Sequence, residues 1–525
     1  MDLQLIALSR AMSEPGFYPH APSDVLMEET NSSWVFLAGD RVYKLRKSVH
    51  FPFLDYSTPE RRRLMAEREV LLGRGQAPGL YVGVLPVFAE EGTFSWEGEG
   101  TPVEWVVQMK RLSTHGRLTR VLERGEIDNN LMRCIARVVA DHHGWSPTGH
   151  GIDHYGEFEH LHQVLFDDFA ETEQHVGSCV GRRQWWDLRE FVGAELSRHQ
   201  KLLERRVRGG FIRAGHGDLR AEHIQVGEGG DILLFDRVEF NEGLRCCDVA
   251  AELAFLVMDF HHYGYHSFGR FLAREYAHIT HDPDLLTLMP LYTVYRAWVR
   301  AKIAGIRCGL VDSDTERERA RLEALGYYHV AWANSRRQPL VLLTYGLAGS
   351  GKSTLSRALA HRLGLHWLRS DNVHKRLQGV QPGERLETGF LSGAYTQEAK
   401  ARTYVELLNM TADFVDRGEG VVVDASFGYP YMRDPFMHHI QEKGWDYAMV
   451  EIQIPADEAK RRLIRRAAEG TDPSDATWEI YLKQRQAFVP PTEIPRHIVL
   501  DGTTHVEDQI SSLIESLLAM AGGGG

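Results

Sequence analysis

One short stretch, an apolar run that leads into a glycine-rich loop and then a helix, constrains the fold of this chain most. It reads LVLLTYGLAGSGKST at residues 340–354. The apolar part is typical of a buried parallel strand. The loop fits the pattern G-x-x-x-x-G-K-[ST], in which glycines allow backbone N–H groups and a helix N-terminus to surround an anion. The order of strand, loop and helix therefore predicts a phosphate-binding loop in an α/β domain.

The same loop predicts which residues hold a nucleotide and its metal ion. Lys352 is expected to neutralise the β- and γ-phosphates and to take part in catalysis, and Ser353 is expected to offer its hydroxyl to Mg²⁺. ATP and Mg²⁺ are therefore the expected cofactors. The expected nucleotide-binding residues of the loop are Gly346, Leu347, Ala348, Gly349, Ser350, Gly351, Lys352, Ser353 and Thr354.

The length of the chain, 525 residues, exceeds what one hydrophobic core normally supports, since domains split beyond roughly 250–300 residues. The polar, proline-ended stretch ANSRRQP predicts a boundary between a domain over residues 1–335 and another over 336–520. A net charge of −12 argues against a general nucleic-acid binder. The cysteines lack CxxC spacing, and the first residues do not fit a signal peptide. We therefore expect a cytoplasmic protein without a membrane segment.

After the loop, strand patterns alternate with helix patterns, which predicts a parallel sheet covered on both faces. Asp371 follows the second strand, where such sheets bind ligands, and is expected to accept the proton of an attacking hydroxyl or, alternatively, to cap the next helix. Asp424 ends the strand GVVVDASF and is a candidate acid for orienting Mg²⁺. Arg465 and Arg466 lie on a basic helix that precedes a polar segment. We expect them to stabilise charge on a transferring phosphoryl group, with a solvated helix face as the alternative.

With the phosphate loop and the Ser-Asp pair after the second strand, residues 340–520 resemble the predicted P-loop kinases related to gluconate kinase, chloramphenicol phosphotransferase, polynucleotide kinase and zeta toxins. Polynucleotide kinases and zeta toxins usually carry an arginine three places after that aspartate. This chain has His374 there. It therefore departs from the pattern of those two groups.

A second set of motifs lies before the boundary. Asp218, in the stretch His-Gly-Asp, is followed eighteen residues later by Asp236 in the stretch LLFD. Asp218 is expected to receive a hydroxyl proton and Asp236 to hold Mg²⁺. Lys44, in the strand-like stretch DRVYKLRK, is expected to bind the α- and β-phosphates. Its predicted helical partner is Glu67, with Glu69 as the alternative.

Two further expectations concern this first domain. Glu67 is favoured over its rival because Leu64 and Leu71 share its helical face, and an apolar face is expected to point inward. The strand-like stretch EWVVQMKRL is expected to offer backbone groups to adenine around Gln108 and Met109.

With these motifs, residues 1–335 resemble the aminoglycoside phosphotransferase family, which has a protein-kinase-like fold. The resemblance implies an α+β bilobal domain followed by an α/β P-loop NTPase domain, as in bacterial fusion proteins described as bifunctional aminoglycoside phosphotransferase and ATP-binding protein. The position that usually holds a metal-binding asparagine is His223. His223 is expected to be a metal ligand, although imidazole suits Mg²⁺ less well than an amide oxygen. The loop ETNSSWVFLAG also lacks G-x-G-x-x-G.

These patterns together predict an ATP- and Mg²⁺-dependent phosphotransferase with two kinase-type sites that phosphorylates hydroxyl groups of small molecules. One alternative is an RNA or DNA end kinase, which the net charge disfavours. Another is a regulatory protein whose kinase-like lobe binds nucleotide without turnover and controls the P-loop domain. The expected partner is a small hydroxyl compound, and the sequence does not predict an oligomeric state.

Overall fold

The computed structural model describes residues 3–51, 54–380, 397–469, 477–487, 489, 491 and 494–522. The chain separates into two compact units. Unit 1 comprises residues 1–163, 198–259 and 267–292, and unit 2 comprises residues 164–197, 260–266 and 293–525. Among the described residues, no helix combines the length and the apolar character that a membrane crossing requires.

The strands that precede residue 335 pair antiparallel. They are β1 (Val25–Glu29), β2 (Ser33–Ala38), β3 (Arg41–Arg46), β4 (His50–Phe51), β5 (Leu54–Asp55), β6 (Tyr81–Glu90), β7 (Thr93–Ser95), β8 (Glu104–Lys110), β9 (Ile212–Ala214), β10 (Ile224–Val226), β11 (Ile232–Leu234) and β12 (Cys246–Asp248). The helices are α1 (Leu3–Ala11), α2 (Pro59–Gln76), α3 (Leu118–Arg124), α4 (Asn129–Trp145), α5 (Phe158–Thr172), α6 (Arg182–Arg198), α7 (Gln200–Arg208), α8 (Glu242–Arg245), α9 (Val249–His262), α10 (His266–Thr280), α11 (Asp284–Leu310) and α12 (Asp314–Ser335).

The main sheet of unit 1 has, among the described residues, the strand order β1-β2-β3-β8-β6-β7. A two-residue turn joins β2 to β3, and its first residue, Gly39, adopts a positive φ of 63°. Tight hairpin turns need this backbone conformation, which glycine adopts without a steric penalty. Helix α2 packs against β6 and β8. The strand-like stretches DRVYKLRK and EWVVQMKRL are therefore confirmed as the strands β3 and β8.

Strands and helices alternate from residue 340 onward. The strands are β13 (Leu340–Tyr345), β14 (His366–Arg369), β15 (Val421–Asp424), β16 (Asp446–Gln453) and β17 (His497–Asp501). The helices are α13 (Lys352–Leu363), α14 (Ser370–Leu377), α15 (Gln397–Asp416), α16 (Pro430–Lys443), α17 (Ala456–Glu469), α18 (Trp478–Ala487) and α19 (Val506–Gly522).

These strands form a parallel sheet in the order β14-β15-β13-β16-β17, as far as the described residues show. Every residue of β13 and β15 is buried. Strands that are covered on both faces are expected to be almost continuously apolar, which is the pattern that the sequence shows. The predicted α/β architecture with a parallel sheet is therefore confirmed.

Unit 2 also contains helices that precede the predicted boundary at residue 335. Helix α12 packs against α13 and α19. Between these helices, the buried carboxylate of Glu507 accepts hydrogen bonds from His329 Nδ1 at 3.0 Å and from Arg362 Nη2 at 2.7 Å. The compact units therefore do not follow the domain ranges inferred from the sequence, which stay a prediction.

Burial of this carboxylate makes its ionisation depend on its partners. Burial raises the pKa of Glu507, but the hydrogen bond from His329 and the charge of Arg362 outweigh it and lower the pKa from 4.5 to about 2. A pKa that is lower in the folded state stabilises the fold above the unfolded value. This contribution is present above about pH 4.5 and is lost as the pH falls toward 2.

We expect Glu507→Gln to lower the free energy of unfolding by about 3 kcal/mol, because the partly buried Arg362 charge, 20% exposed, loses its counterion. Asp508→Asn is the matched control, since Asp508 also pairs with an arginine, Arg321, but is 37% exposed against 9% for Glu507. Such pairs contribute at most about 1 kcal/mol. Urea denaturation at neutral pH measures both changes, and equal losses in the two variants would contradict the assignment.

Candidate functional site

The loop between β13 and α13 has the backbone geometry of an anion cradle. Gly346 has a φ of 141°, and a Cβ there would lie 2.8 Å from the carbonyl oxygen of Ile452. Gly351 precedes the first residue of α13 with a φ of 102°. Non-glycine residues rarely adopt such values, so the two glycines permit the tight path of the loop. The backbone N–H groups at the start of α13 then face the space above the loop.

Two side chains of this loop fit an anionic ligand. The Lys352 ammonium donates a hydrogen bond to the Leu347 carbonyl oxygen at 2.9 Å. Burial lowers the pKa of Lys352, and the nearby carboxylates of Asp424 and Asp371 only partly oppose this. Among the described residues, the buried Ser350 Oγ has no hydrogen-bond partner. A phosphate oxygen would satisfy the hydroxyl and favour the charged form of the lysine.

The two carboxylates lie at the carboxyl end of the parallel sheet. Asp424 is the last residue of β15 and lies opposite Arg369, the last residue of β14. Arg369 Nε is 3.6 Å from Asp424 Oδ2. Asp371 lies in the first turn of α14, directly after β14. The structure therefore brings both predicted acids to the sheet edge that carries the phosphate loop.

A cavity of about 1150 Å³ opens at this sheet edge. It is lined by all nine residues of the loop from Gly346 to Thr354, and by Asp371, Asp424, Arg465 and Arg466. Ligand pockets typically measure about 300–1,000 Å³, so this cavity has room for a nucleotide and a second small molecule. Ser353 and Asp424 offer the hydroxyl and carboxylate oxygens that Mg²⁺ prefers.

The basic helix predicted to border this cavity is α17. Arg465 and Arg466 line the cavity, and Arg466 contributes to the lowered pKa of Lys352. Arg462, which lines it too, donates to Glu458 Oε1 at 2.7 Å and to the Gly502 carbonyl oxygen at 3.0 Å. The polar segment that follows the helix falls on residues 470–476, which lie outside the described residues.

Unit 1 carries the second set of predicted residues. Lys44 Nζ lies 3.1 Å from Glu69 Oε1 and 3.1 Å from Asp236 Oδ1. Burial would lower the pKa of Lys44, but the charges of Asp236 and Glu69 outweigh it and raise the pKa well above its usual range. The structure therefore brings Lys44 and Asp236 together with a carboxylate of helix α2, as predicted. That carboxylate belongs to Glu69.

The preference for Glu67 is wrong. Glu67 is exposed and bonds to Arg63, whereas Glu69 is 2% exposed. The buried face of α2 consists of Arg62, Ala66, Glu69, Val70 and Gly73. Leu64 and Leu71, which were expected to mark the inner face, are 57% and 74% exposed. Hydropathy gave the wrong face because the ion pairs of Arg62 and Glu69 allow charged side chains to be buried.

The loop that carries Asp218 and His223 lies beside Asp236, the carboxylate that contacts Lys44. Asp236 has a φ of 62°, a strained value for a residue with a Cβ. His223 Nε2 lies 3.5 Å from Asp236 Oδ2, and His223 Nδ1 lies 2.8 Å from the Asp218 carbonyl oxygen. Ligand atoms of Asp218, Glu222 and His223 all lie within 4.8 Å of one another, so this group could hold a metal ion. The role of His223 as a metal ligand stays a prediction.

Arg220 is a residue of this loop that sequence reasoning missed. Its guanidinium donates to Asp218 Oδ1 at 2.6 Å and to Asp218 Oδ2 at 3.0 Å, and it also bonds to Glu222. Both oxygens of Asp218 therefore already bind a cation. The only signal in the sequence was an arginine two places after the aspartate, which the motif itself does not specify.

The predicted adenine-binding segment is misplaced. Gln108 and Met109 lie inside β8, opposite Tyr43 and Val42 of β3 on one side and Gly83 and Tyr81 of β6 on the other. An inner strand uses its backbone groups in the sheet ladder, so these residues have none to offer a base. β8 ends at Lys110, and a segment that could offer backbone groups begins after it.

We expect Glu69→Gln to lower the free energy of unfolding by about 3 kcal/mol, because Lys44 and the buried Arg46 lose their shared carboxylate. Glu67→Gln, two residues away on the exposed face, is the control and should change it by less than about 0.5 kcal/mol. Thermal and chemical unfolding of the two variants measure this. A larger effect from Glu67→Gln would restore the original assignment.

Comparison with known proteins gives partial and full-length similarities. Residues 341–491 match a family model described as an AAA domain. A shikimate kinase from Rhodopseudomonas palustris is 32% identical over 130 residues, 25% of this chain and 56% of that protein. A solved choline/ethanolamine kinase family protein from Mesorhizobium loti is 14% identical, with a TM-score of 0.40, and covers 68% of this chain and 99% of that one.

The full-length similarity is to a mycobacterial protein. The uncharacterized protein Rv2004c of Mycobacterium tuberculosis is 30% identical over 468 residues. The match covers 88% of this chain and 90% of that protein, so it includes most of both halves of the sequence. At this identity and coverage, the chain belongs to the family of Mycobacterium tuberculosis protein Rv2004c.

Proposed function

We propose that the unit 2 cavity is the active site of an ATP- and Mg²⁺-dependent kinase that phosphorylates a hydroxyl group of a small molecule. One observation carries this proposal. A phosphate-type loop, two carboxylates at neighbouring strand ends and two arginines of α17 line a single cavity of about 1150 Å³. The AAA domain match over residues 341–491 and the partial similarity to a shikimate kinase support phosphotransfer as the reaction class.

Each side chain has a role that follows from its position. The loop amides and Lys352 bind the β- and γ-phosphates, and Arg465 and Arg466 stabilise charge on the group being transferred. Asp371 accepts the proton of the attacking hydroxyl. A bond then forms between the hydroxyl oxygen and the γ-phosphorus, while the bond from that phosphorus to the oxygen bridging to ADP breaks. ADP is the leaving group.

Ser353 and Asp424 are the residues that would hold Mg²⁺. The ion supplies charge neutralisation at the β- and γ-phosphates when it is bound. Burial lowers the pKa of Lys352, and the charge of Asp424 partly opposes this by favouring the charged form of the lysine.

For unit 1 we propose a protein-kinase-like lobe with a second nucleotide site, in which Lys44, Glu69 and Asp236 form the phosphate and metal end. Asp218 is the candidate proton acceptor of this site. The bidentate bond from Arg220 to Asp218 favours a lobe that binds nucleotide without turnover, since a carboxylate bound by a guanidinium is a weak base. Transfer at this site requires Arg220 to leave Asp218.

We expect Asp371→Asn to lower kcat by about 10²–10⁴-fold, the usual contribution of a general base, while the KM for MgATP stays within a factor of about two. Asp434→Asn, on the exposed surface of α16, removes the same charge and should leave kcat unchanged. Measuring the formation of ADP and of the phosphorylated acceptor in the same reaction distinguishes the two variants. An Asp371→Asn enzyme with full kcat would show that this residue is not the proton acceptor.

A further inference from the structure

The cavity of unit 2 divides into two sides because its phosphate loop follows the central strand. Strands β14 and β15 lie on one side of β13, and β16 and β17 lie on the other. Residues Gly502, Thr504, His505 and Gln509 line the side of β17. Asp371, the proton acceptor of the proposed reaction, lies on the opposite side. The acceptor molecule therefore belongs on the side of β14 and β15.

The lining of this acceptor side is strongly polar. It consists of Arg369, Ser370, Asp371, His374, Lys400, Thr403, Tyr404, Asp424, Ala425, Ser426, Gly428, Tyr429 and Met432. Hydroxyl groups are the most frequent polar groups in this set, and Ala425 and Met432 are its only residues with an aliphatic or thioether side chain. An apolar acceptor would take the charged side chains of this set out of water without offering them a polar group, which is costly in a partly enclosed site.

The hydroxyls are held in defined positions. Tyr404 OH lies 3.3 Å from Ser426 Oγ and accepts a hydrogen bond from the Phe427 N–H at 3.2 Å. Burial raises the pKa of Tyr404 to about 12, so its hydroxyl stays protonated at neutral pH. Phe427 has a φ of 42°, a strained conformation of the kind found at binding sites.

Two cations accompany these hydroxyls. Lys400 lies on α15, three and four residues before Thr403 and Tyr404, so one helical face presents all three to the cavity. Arg369 faces the same side from the end of β14 and is close to Asp424. Burial lowers the pKa of the Lys400 ammonium. A ligand anion next to this amine would favour its charged form and gain a charge-assisted hydrogen bond.

We propose that the acceptor is a small polyhydroxylated anion, whose carboxylate or phosphate group binds Lys400 in the field of Arg369, while one of its hydroxyls faces Asp371. This rests on the proposed kinase function of the same cavity. The bonds that form and break are those of the phosphoryl transfer described above. The acceptor hydroxyl loses its proton to Asp371, and the anionic group of the acceptor is unchanged. Lys400 and Arg369 disfavour a cationic group, such as the ammonium of an amino sugar, at the position of the bound anion.

The experiment compares acceptors that share hydroxyls and differ in charge, in ADP formation by the full chain at saturating MgATP. D-glycerate, glycerol 3-phosphate and glycerol form one set, and galactonate and galactitol form another. We expect the anionic members to have a kcat/KM at least about 10-fold higher than the neutral ones, the worth of one charged hydrogen bond. A preference for glycerate or for glycerol 3-phosphate distinguishes a carboxylate from a phosphate as the bound group.

Lys400→Met tests the assigned residue. It should raise the KM for the preferred anion about 10-fold and leave the KM for MgATP unchanged, because the nucleotide lies on the other side of the loop. Lys443→Met, at the exposed end of α16, removes the same charge outside the cavity and serves as the matched control. Lys400→Arg should keep the preference for the anion.

The outcomes separate this inference from the proposed function. If Mg²⁺ and a non-hydrolysable ATP analogue fail to raise the Tm in a way that depends on Lys352, the kinase function fails. If the analogue binds but neutral and anionic acceptors react alike, or no anionic member reacts or adds to the Tm shift, the anion proposal alone is overturned. An unchanged KM in Lys400→Met with a clear anion preference overturns the residue assignment.

Discussion

The central constraint in unit 2 is that the parallel strands β13, β14 and β15 end at one sheet edge, where the loop after β13 must turn tightly into a helix. The glycines of that loop allow the turn, and the turn directs backbone N–H groups and Lys352 into the cavity. The same sheet edge places Asp371 and Asp424 beside the loop because they follow the two neighbouring strands. The proposed chemistry therefore depends on strand order more than on any single side chain.

The two units differ in how their buried cationic side chains are neutralised. In unit 2, burial lowers the pKa of Lys352 and of Lys400, so an anion that enters with a ligand would favour the charged form of both amines. In unit 1, Lys44 is bound by Glu69 and Asp236, and Asp218 is bound by Arg220. The unit 1 cluster is thus largely neutralised by its own side chains. This contrast supports an open phosphotransfer site in unit 2 and a more restrained nucleotide site in unit 1.

The features that sequence could predict are those set by local pattern. The loop at 346–354, Asp371 and Asp424 each lie at the end of a strand, so their positions at the sheet edge follow from the alternation of strand and helix. Glu69 was not preferred because its helix buries charged residues in ion pairs, which hydropathy cannot detect. No sequence motif specifies Lys400 or Arg220. Their importance depends on which helix or loop lies opposite, and only the folded chain determines that.

The most direct test of the central claim is the stoichiometry of binding of a non-hydrolysable ATP analogue with Mg²⁺, measured by isothermal titration calorimetry on the full chain and on Lys352→Ala. Loops of this type hold a nucleotide through its phosphates, and the lysine supplies much of that interaction. The account predicts two equivalents for the unaltered chain and loss of one of them in the variant. An isotherm that Lys352→Ala leaves unchanged would contradict a nucleotide site at the phosphate loop.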